Sequence, residues 1–214
     1  MLNRPFACIS DIHGNLSAFR VVLDELSQRA ITDLLVAGDL VFGGDHPREL
    51  WQLLEKARAQ CVQGPSDKAL YTLTSSAFVS RQDQDQRAIE RFYEVREALG
   101  DLGIMRLKRL PLTRRFPLLD GTELLLVHGS PLDPFLEISI DMSDEEIATL
   151  VNDDPADIIV CGSSHVPFQR QIGGAHIINV GSVGEAPEGQ IAHLTLITPK
   201  SAGIDVEQLW LPYD

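Results

Sequence analysis

The sequence predicts a layered α/β fold. Short apolar runs alternate with amphipathic helical stretches through the first half, and several of those runs end on an acid or a histidine. The second half turns to short strands interrupted by one capped helix.

The elements follow in order. Residues 5–10 are apolar and end at Asp11, and Leu16, Phe19, Leu23 and Leu26 then recur at helical spacing across 16–29, with Asn15 placed to cap that helix. The pattern repeats as DLLVAGD (33–39) before PRELWQLLEKA (47–57), where Pro47 suits a first helical turn. A third strand, AQCVQG (59–64), runs into a helix that Ser66 or Asp67 would cap. Strands and helices alternating in this way form parallel units with right-handed crossovers. Residues 83–109 carry Ile89, Phe92, Val95 and Leu99 on one stripe, the mark of an amphipathic helix on a core. The strands LTRRF and TELLLVHG follow, and then a helix at SDEEIATLVND whose Ser143 and Glu146 match a capping box. After DIIVCG, the segments FQRQI, HIINV, IAHLTLIT and IDVEQLWL are spaced like adjacent antiparallel strands.

A chain of 214 residues with 44% hydrophobic and 23% charged composition has the material for one domain spanning 1–214. The formal net charge of -13 excludes a protein that wraps nucleic acid with a basic surface. No apolar run approaches the roughly 18 residues of a membrane span, and an acid follows the N-terminus too closely for a signal-peptide core, so a cytoplasmic location is expected. Cys8, Cys61 and Cys161 sit in apolar settings without paired zinc spacings and read as reduced core residues. His46 and His176 fall in loops or at strand starts, where solvated histidines are ordinary.

The acids and histidines that remain are not scattered. Asp11 and His13 follow the first strand, Asp39 the second, His128 the run ELLLV and His165 the run DIIVCG. Carboxyl ends of strands are where open α/β sheets gather ligands. One such residue would be an ordinary cap, but five at successive strand ends form a constellation.

The segments DIHGN (11–15), GDLV (38–41), VHGSP (127–131), GSSHVPF (162–168) and NVGSVG (179–184) resemble, in order, the motifs of the calcineurin-like metallophosphoesterases. The resemblance implies a four-layer α/β/β/α sandwich with a two-metal site at the strand ends. It also implies manganese, iron or zinc, which suit carboxylate and imidazole ligands. By that resemblance Asp11, His13 and His165 hold a first ion, and Asp39 bridges to a second. The second ion would use Asp39, an Asn at 65, His128 and a His at 163.

The sequence departs from the pattern there: 65 is Pro and 163 is Ser. Proline has no side-chain lone pair, and serine is a poor ligand at neutral pH. The catalytic histidine implied at 66 is Ser66. Asp67 is left to cap the helix, while Asn15, Ser66 and Ser163 become candidates to contact a phosphorylated small molecule. The loop GGDHP carries His46, placed to supply a proton or a ligand. One ion rather than two is expected. The function is then a phosphatase or phosphodiesterase with impaired catalysis. The alternative is a non-catalytic binding module, scaffold or phosphate-ligand sensor, similar to the phosphoesterase-like subunit of the retromer coat. Partners and oligomeric state are not legible.

Overall fold

The computed structural model describes residues 1–73, 83–152 and 156–214. Strands β1 (Phe6–Ile9), β2 (Leu34–Val36) and β3 (Gln60–Cys61) each lead into a helix: α1 (Leu16–Gln28), α2 (Pro47–Lys56) and α3 (Pro65–Thr72). Helix α4 (Asp83–Arg109) precedes β4 (Thr113–Pro117) and β5 (Glu123–Val127). Helix α5 (Asp144–Val151) then precedes β6 (Ile158–Cys161), β7 (Phe168–Ile172), β8 (Ala175–Asn179), β9 (Ile191–Pro199) and β10 (Ile204–Pro212). Two five-stranded sheets result, ordered β10-β9-β1-β2-β3 and β4-β5-β6-β8-β7.

Side-chain alternation explains the layering. Successive residues of a strand point to opposite faces, so a strand buried on both sides is apolar throughout. In β1, Phe6 and Cys8 face the second sheet and pack with Leu35, Leu124, Leu126, Val160 and Ile178. Ala7 and Ile9 face the other way, into a cluster with Phe19 and Val22 of α1 and Leu50 of α2. On the second sheet, Leu125, Val127, Ile159 and Cys161 meet Ile147 and Leu150 of α5. The order is helices, sheet, sheet, helix. Cys8, Cys61 and Cys161 are buried and unpaired, and burial pushes the Cys61 and Cys161 thiols up to about 12.

Several expectations are met residue by residue. Asn15 caps α1 by accepting from the Ala18 amide at 3.1 Å. Ser143 and Glu146 form the reciprocal box at the start of α5, the last residue of that predicted segment, 153, lying outside the described residues. Phe92 and Val95 of α4 are buried, as their stripe requires.

Other expectations are corrected. The third strand is only Gln60–Cys61, because Gln63 turns away and its amide reaches the carbonyls of Leu107, Lys108 and Leu110 at the end of α4. Residues 83–109 are interrupted at Gly100, whose φ of 64° only glycine adopts at little cost. The late strands are not one antiparallel series: β8 runs antiparallel to β7 but parallel to β6, and β9 lies in the first sheet between β1 and β10. Residues 180–190 therefore cross from one sheet to the other.

The topology fixes the site. β1, β2 and β3 are mutually parallel, as are β5, β6 and β8, so each sheet gathers three carboxyl ends. Leu126→Ala would open a cavity between the sheets, where Leu126 is fully buried. A loss of about 2–5 kcal/mol is expected, read as a lower denaturant midpoint at unchanged slope.

Candidate metal centre

Each candidate ligand stands just beyond a strand, and all but His128 do so in backbone that few residues adopt. Among the described residues seven non-glycines have positive φ, and five are Asp11, His13, Asp39, Ser163 and His165. Such conformations cost about 1–3 kcal/mol each and persist where surrounding bonds determine them. Here the bonds are explicit. The amides of Asp11, His13 and Gly14 donate to the carbonyls of Gly38, Asp39 and Leu40, lacing the first two loops together. From the crossover, Gly184 N and Ser182 Oγ both donate to Asp11 O. From the second sheet, Ser163 N donates to Asp11 Oδ2 at 3.0 Å.

Asp11 Oδ1 has no hydrogen-bond partner, although Asp11 is fully buried. Three imidazole nitrogens surround it: His165 Nε2 at 3.3 Å, His13 Nε2 at 3.6 Å and His128 Nε2 at 4.0 Å. Asp39 Oδ2 lies 3.9 Å from His13 Nε2 and 3.8 Å from His128 Nε2. The ligand atoms of Asp11, His13 and His165 lie within 4.8 Å of one another, and so do those of Asp11, Asp39 and His128. Asp11 belongs to both groups. Asp39 Oδ2 spans His13 and His128, so either carboxylate stands where it would join two ions.

The imidazoles are turned from behind. His128 Nδ1 donates to Ala37 O at 2.7 Å and His165 Nδ1 to Glu185 O at 3.1 Å, which leaves each Nε2 facing the carboxylates. Backing of this kind fixes the tautomer that a metal needs. Together with the partnerless buried oxygen, it makes the residues present a fit for a divalent ion.

The electrostatics of the site show the same demand. Burial opposes the charge of Asp11, but the imidazoles of His13 and His165 pressed against it and the charge of His128 hold its carboxyl well below the usual range. Burial likewise opposes a charged His13, yet Asp11, Asp39 and Glu185 lift it to about 9. The hydrogen bond to Asp11 raises His165, against burial and its neighbour His13. His13 Nε2 and His165 Nε2 are 3.3 Å apart. The proton on His13 occupies ground an ion would take.

The second half of the site is different. Pro65 is the first residue of α3 and offers no side-chain ligand. Ser66 N donates to Asp39 Oδ1 at 3.0 Å, while Ser66 Oγ is buried without a partner. Ser163 reaches Asp11 through its amide. Gly64, rather than Ser66 or Asp67, is the N-cap of α3, because the helix already begins at Pro65; Asp67, in its first turn, accepts from Gly64 N, Asp39 N and Leu40 N, all within 3.0 Å, and so braces the second loop against the third. Burial, then Asp39, pushes it up to about 7 against the amides of Gly64 and Leu40. Gly64 fits this crossing alone, since a Cβ there would lie 2.0 Å from Asp39 Oδ1.

A cleft of about 410 Å³ opens beside His13, lined also by Asn15, Ser17, Gly43, Asp45, His46 and Glu185. His46 stands at the head of α2, exposed, without a side-chain cap bond. The Asn15 amide is committed, donating to Gly184 O and Tyr213 Oη. Among the described residues neither lysine nor arginine lines the cleft. His176 lies apart, on Gln169. The sequence reading passed over Glu185, whose Oε2 is 3.7 Å from His13 Nε2, and Asn179, whose buried amide ties Gly162 O and Ser164 Oγ to the turn at Gly181. Their signal was their place, at the start of and just after NVGSVG.

Two facing sheets with an Asp/His centre at their parallel strand ends define a phosphoesterase-type fold. The chain matches the calcineurin-like phosphoesterase superfamily domain over residues 5–201 and belongs to that superfamily. It is 26% identical over 204 residues to the protein MJ0912 of Methanocaldococcus jannaschii, covering 88% of this chain and 80% of that one. Its fold is similar to that of PH1004 from Pyrococcus horikoshii OT3 (TM-score 0.84, 20% identity, 98% of this chain and 88% of that one). It is also similar to a metallophosphoesterase from Sphaerobacter thermophilus (TM-score 0.77, 23% identity, 100% and 90%).

An ion entering at pH 7 must displace the proton that His13 holds up to about 9. Affinity for zinc or manganese should rise between pH 7 and 9 by up to about tenfold per unit, and binding should release a proton. Calorimetry in buffers of different ionisation enthalpy reads that release. A binding enthalpy independent of the buffer would contradict it.

Proposed function

We propose that this chain is a metal-dependent phosphoester hydrolase, a phosphatase or phosphodiesterase, that works with one well-held ion and impaired catalysis. The observation that carries the reading is Asp11 Oδ1, buried without a hydrogen bond and faced by three imidazoles. Asp11, His13 and His165 would hold the ion, with Asp39 beside them, and manganese, iron or zinc suits that set. When bound, such an ion supplies a Lewis acid and an acidified water.

The chain's own groups supply the rest. Asp11 and Asp39 anchor the charge, while His128 and His165 are aimed by backbone carbonyls and need no reorganisation. The cleft falls in the size range of small-molecule sites, about 300–1,000 Å³. A phosphorylated small molecule fits it better than nucleic acid, given the net charge of -13. Ser66 and Ser163 are the candidates to contact the substrate, Asn15 could join them only by giving up its bonds to Gly184 O and Tyr213 Oη, and His46 is the candidate to give a proton to the leaving oxygen. No helix among the described residues is long and apolar enough to cross a membrane, and the unpaired buried cysteines suit the cytoplasm.

A second reading, a phosphate-ligand sensor or scaffold without turnover, is favoured by one observation. Pro65, Ser66 and Ser163 remove three groups from the same half of the site, and Asp39 Oδ1 is already engaged by Ser66 N. General acid catalysis alone is typically worth about 10²–10⁴ in rate.

Protein purified without chelator should carry nearer one ion than two, and Asp11→Ala should lose it. Turnover of bis-p-nitrophenyl phosphate should be slow and fall further in His13→Ala and Asp39→Asn. Variants that keep the parent rate would show the hydrolysis to be a contaminant, and a normal rate in His46→Ala would remove His46 from the reaction.

Reconstruction tests the damaged half. Pro65→Asn with Ser163→His should raise metal content toward two before any rate appears. Adding Ser66→His should then raise the rate by far more than the product of the single changes, since such groups act as a unit. A triple variant that holds two ions and stays inactive would favour the sensor reading.

A further inference from the structure

His13 Nε2 is ringed more completely than the aspartates and His165 account for. His165 Nε2 lies 3.3 Å away, Asp11 Oδ1 3.6 Å, Asp39 Oδ2 3.9 Å and Glu185 Oε2 3.7 Å. One imidazole N–H can serve one acceptor, so three carboxylates around it exceed what a proton satisfies. Two ligands bound at about 2.0–2.2 Å on a tetrahedral ion stand roughly 3.4 Å apart. The spacings around His13 are of that size.

Glu185 is also built into the site from both sides. Its amide donates to Ser182 Oγ at 2.8 Å, the hydroxyl that also donates to Asp11 O. Its carbonyl accepts from His165 Nδ1 at 3.1 Å. The backbone that aims two of the ligands therefore carries Glu185, whose side chain is 54% exposed on the cleft side. Among the described residues its only ion pair is with His13. In its present rotamer its carboxylate lies outside the two groups whose ligand atoms fall within 4.8 Å of one another, and it reaches the triad of Asp11, His13 and His165 through His13 alone.

We propose that Glu185 is a protein ligand of the ion that Asp11, His13 and His165 would hold, closing that ion's shell from the cleft and compensating in part for the ligands absent at 65 and 163. The proposal rests on the metal-binding half of the function proposed above. Two imidazoles and two carboxylates would then hold the ion without the second half, and water or substrate would enter as a fifth ligand. It also places a carboxylate between the ion and the cleft.

The test compares the full-length parent with Glu185→Gln and with Asp45→Asn, a second cleft acid that pairs with Arg91. Zinc affinity by chelator competition and the visible absorption of the cobalt(II) form are the readouts. Glu185→Gln should bind zinc at least about tenfold more weakly, the lower end of what even outer-shell losses cost, and should change the cobalt spectrum. Asp45→Asn should alter neither. Unchanged affinity in Glu185→Gln overturns the proposal, as does an equal loss in both variants with an unchanged spectrum, which would mean a general effect of charge. A parent that takes up neither metal overturns this proposal together with the metal-dependent reading. A parent that binds while Glu185→Gln binds equally well overturns this one alone.

Discussion

The structure depends on one buried negative charge, one of whose two oxygens has no hydrogen-bond donor. Leaving the Asp11 carboxylate in a low-dielectric interior with one oxygen unsatisfied carries a desolvation penalty of several kcal/mol, unless a cation or a charged imidazole answers it. Two sheets supply the answer jointly: His13 from the first, His128 and His165 from the second. The left-handed turns at Asp11, His13, Asp39 and His165 are the backbone cost of bringing these groups to one point. Neither sheet holds the site alone.

The stretch GPSD shows how a motif can be divided between architecture and chemistry. Gly64 permits the close passage of Asp39, and Asp67 collects three amides that hold the Asp39 turn in place. Those two residues shape the loop. Pro65 and Ser66 occupy the positions that would face an ion or a leaving group, and the loop keeps its form without them because Ser66 contributes only its amide to Asp39. Substitutions at 65 and 66 thus leave the fold's bracing intact.

Much of the fold was legible because burial periodicity was. The alternation in FACI and LLV, the stripe through Phe92 and Val95 and the Ser143–Glu146 box each report a local physical demand, and each appears where the sequence put it. Partner choice is not local. HIINV and IAHLTLIT read alike as strands, but the first joins β6 and the second joins β1 in the other sheet, a distinction that periodicity does not encode. The five ligand candidates were legible from their strand-end positions, and the structure converges them. Glu185 was not, because it stands just outside the motif NVGSVG, and its approach to His13 exists only once residues 180–190 have crossed between sheets.

Among the described residues no lysine or arginine lines the cleft itself, Arg91 touching its rim through Gly43 O and Asp45, and that has a thermodynamic consequence. With Asp11, Asp39 and Glu185 gathered around His13, the carboxylates would outweigh the charge of one divalent ion. A phosphoryl group approaching a centre with one ion would meet net repulsion, and a further cation would relieve it. Anion and second cation would then favour each other's arrival by the same free energy, as linkage requires. The counterion that a basic side chain would otherwise provide permanently would come and go with the ligand.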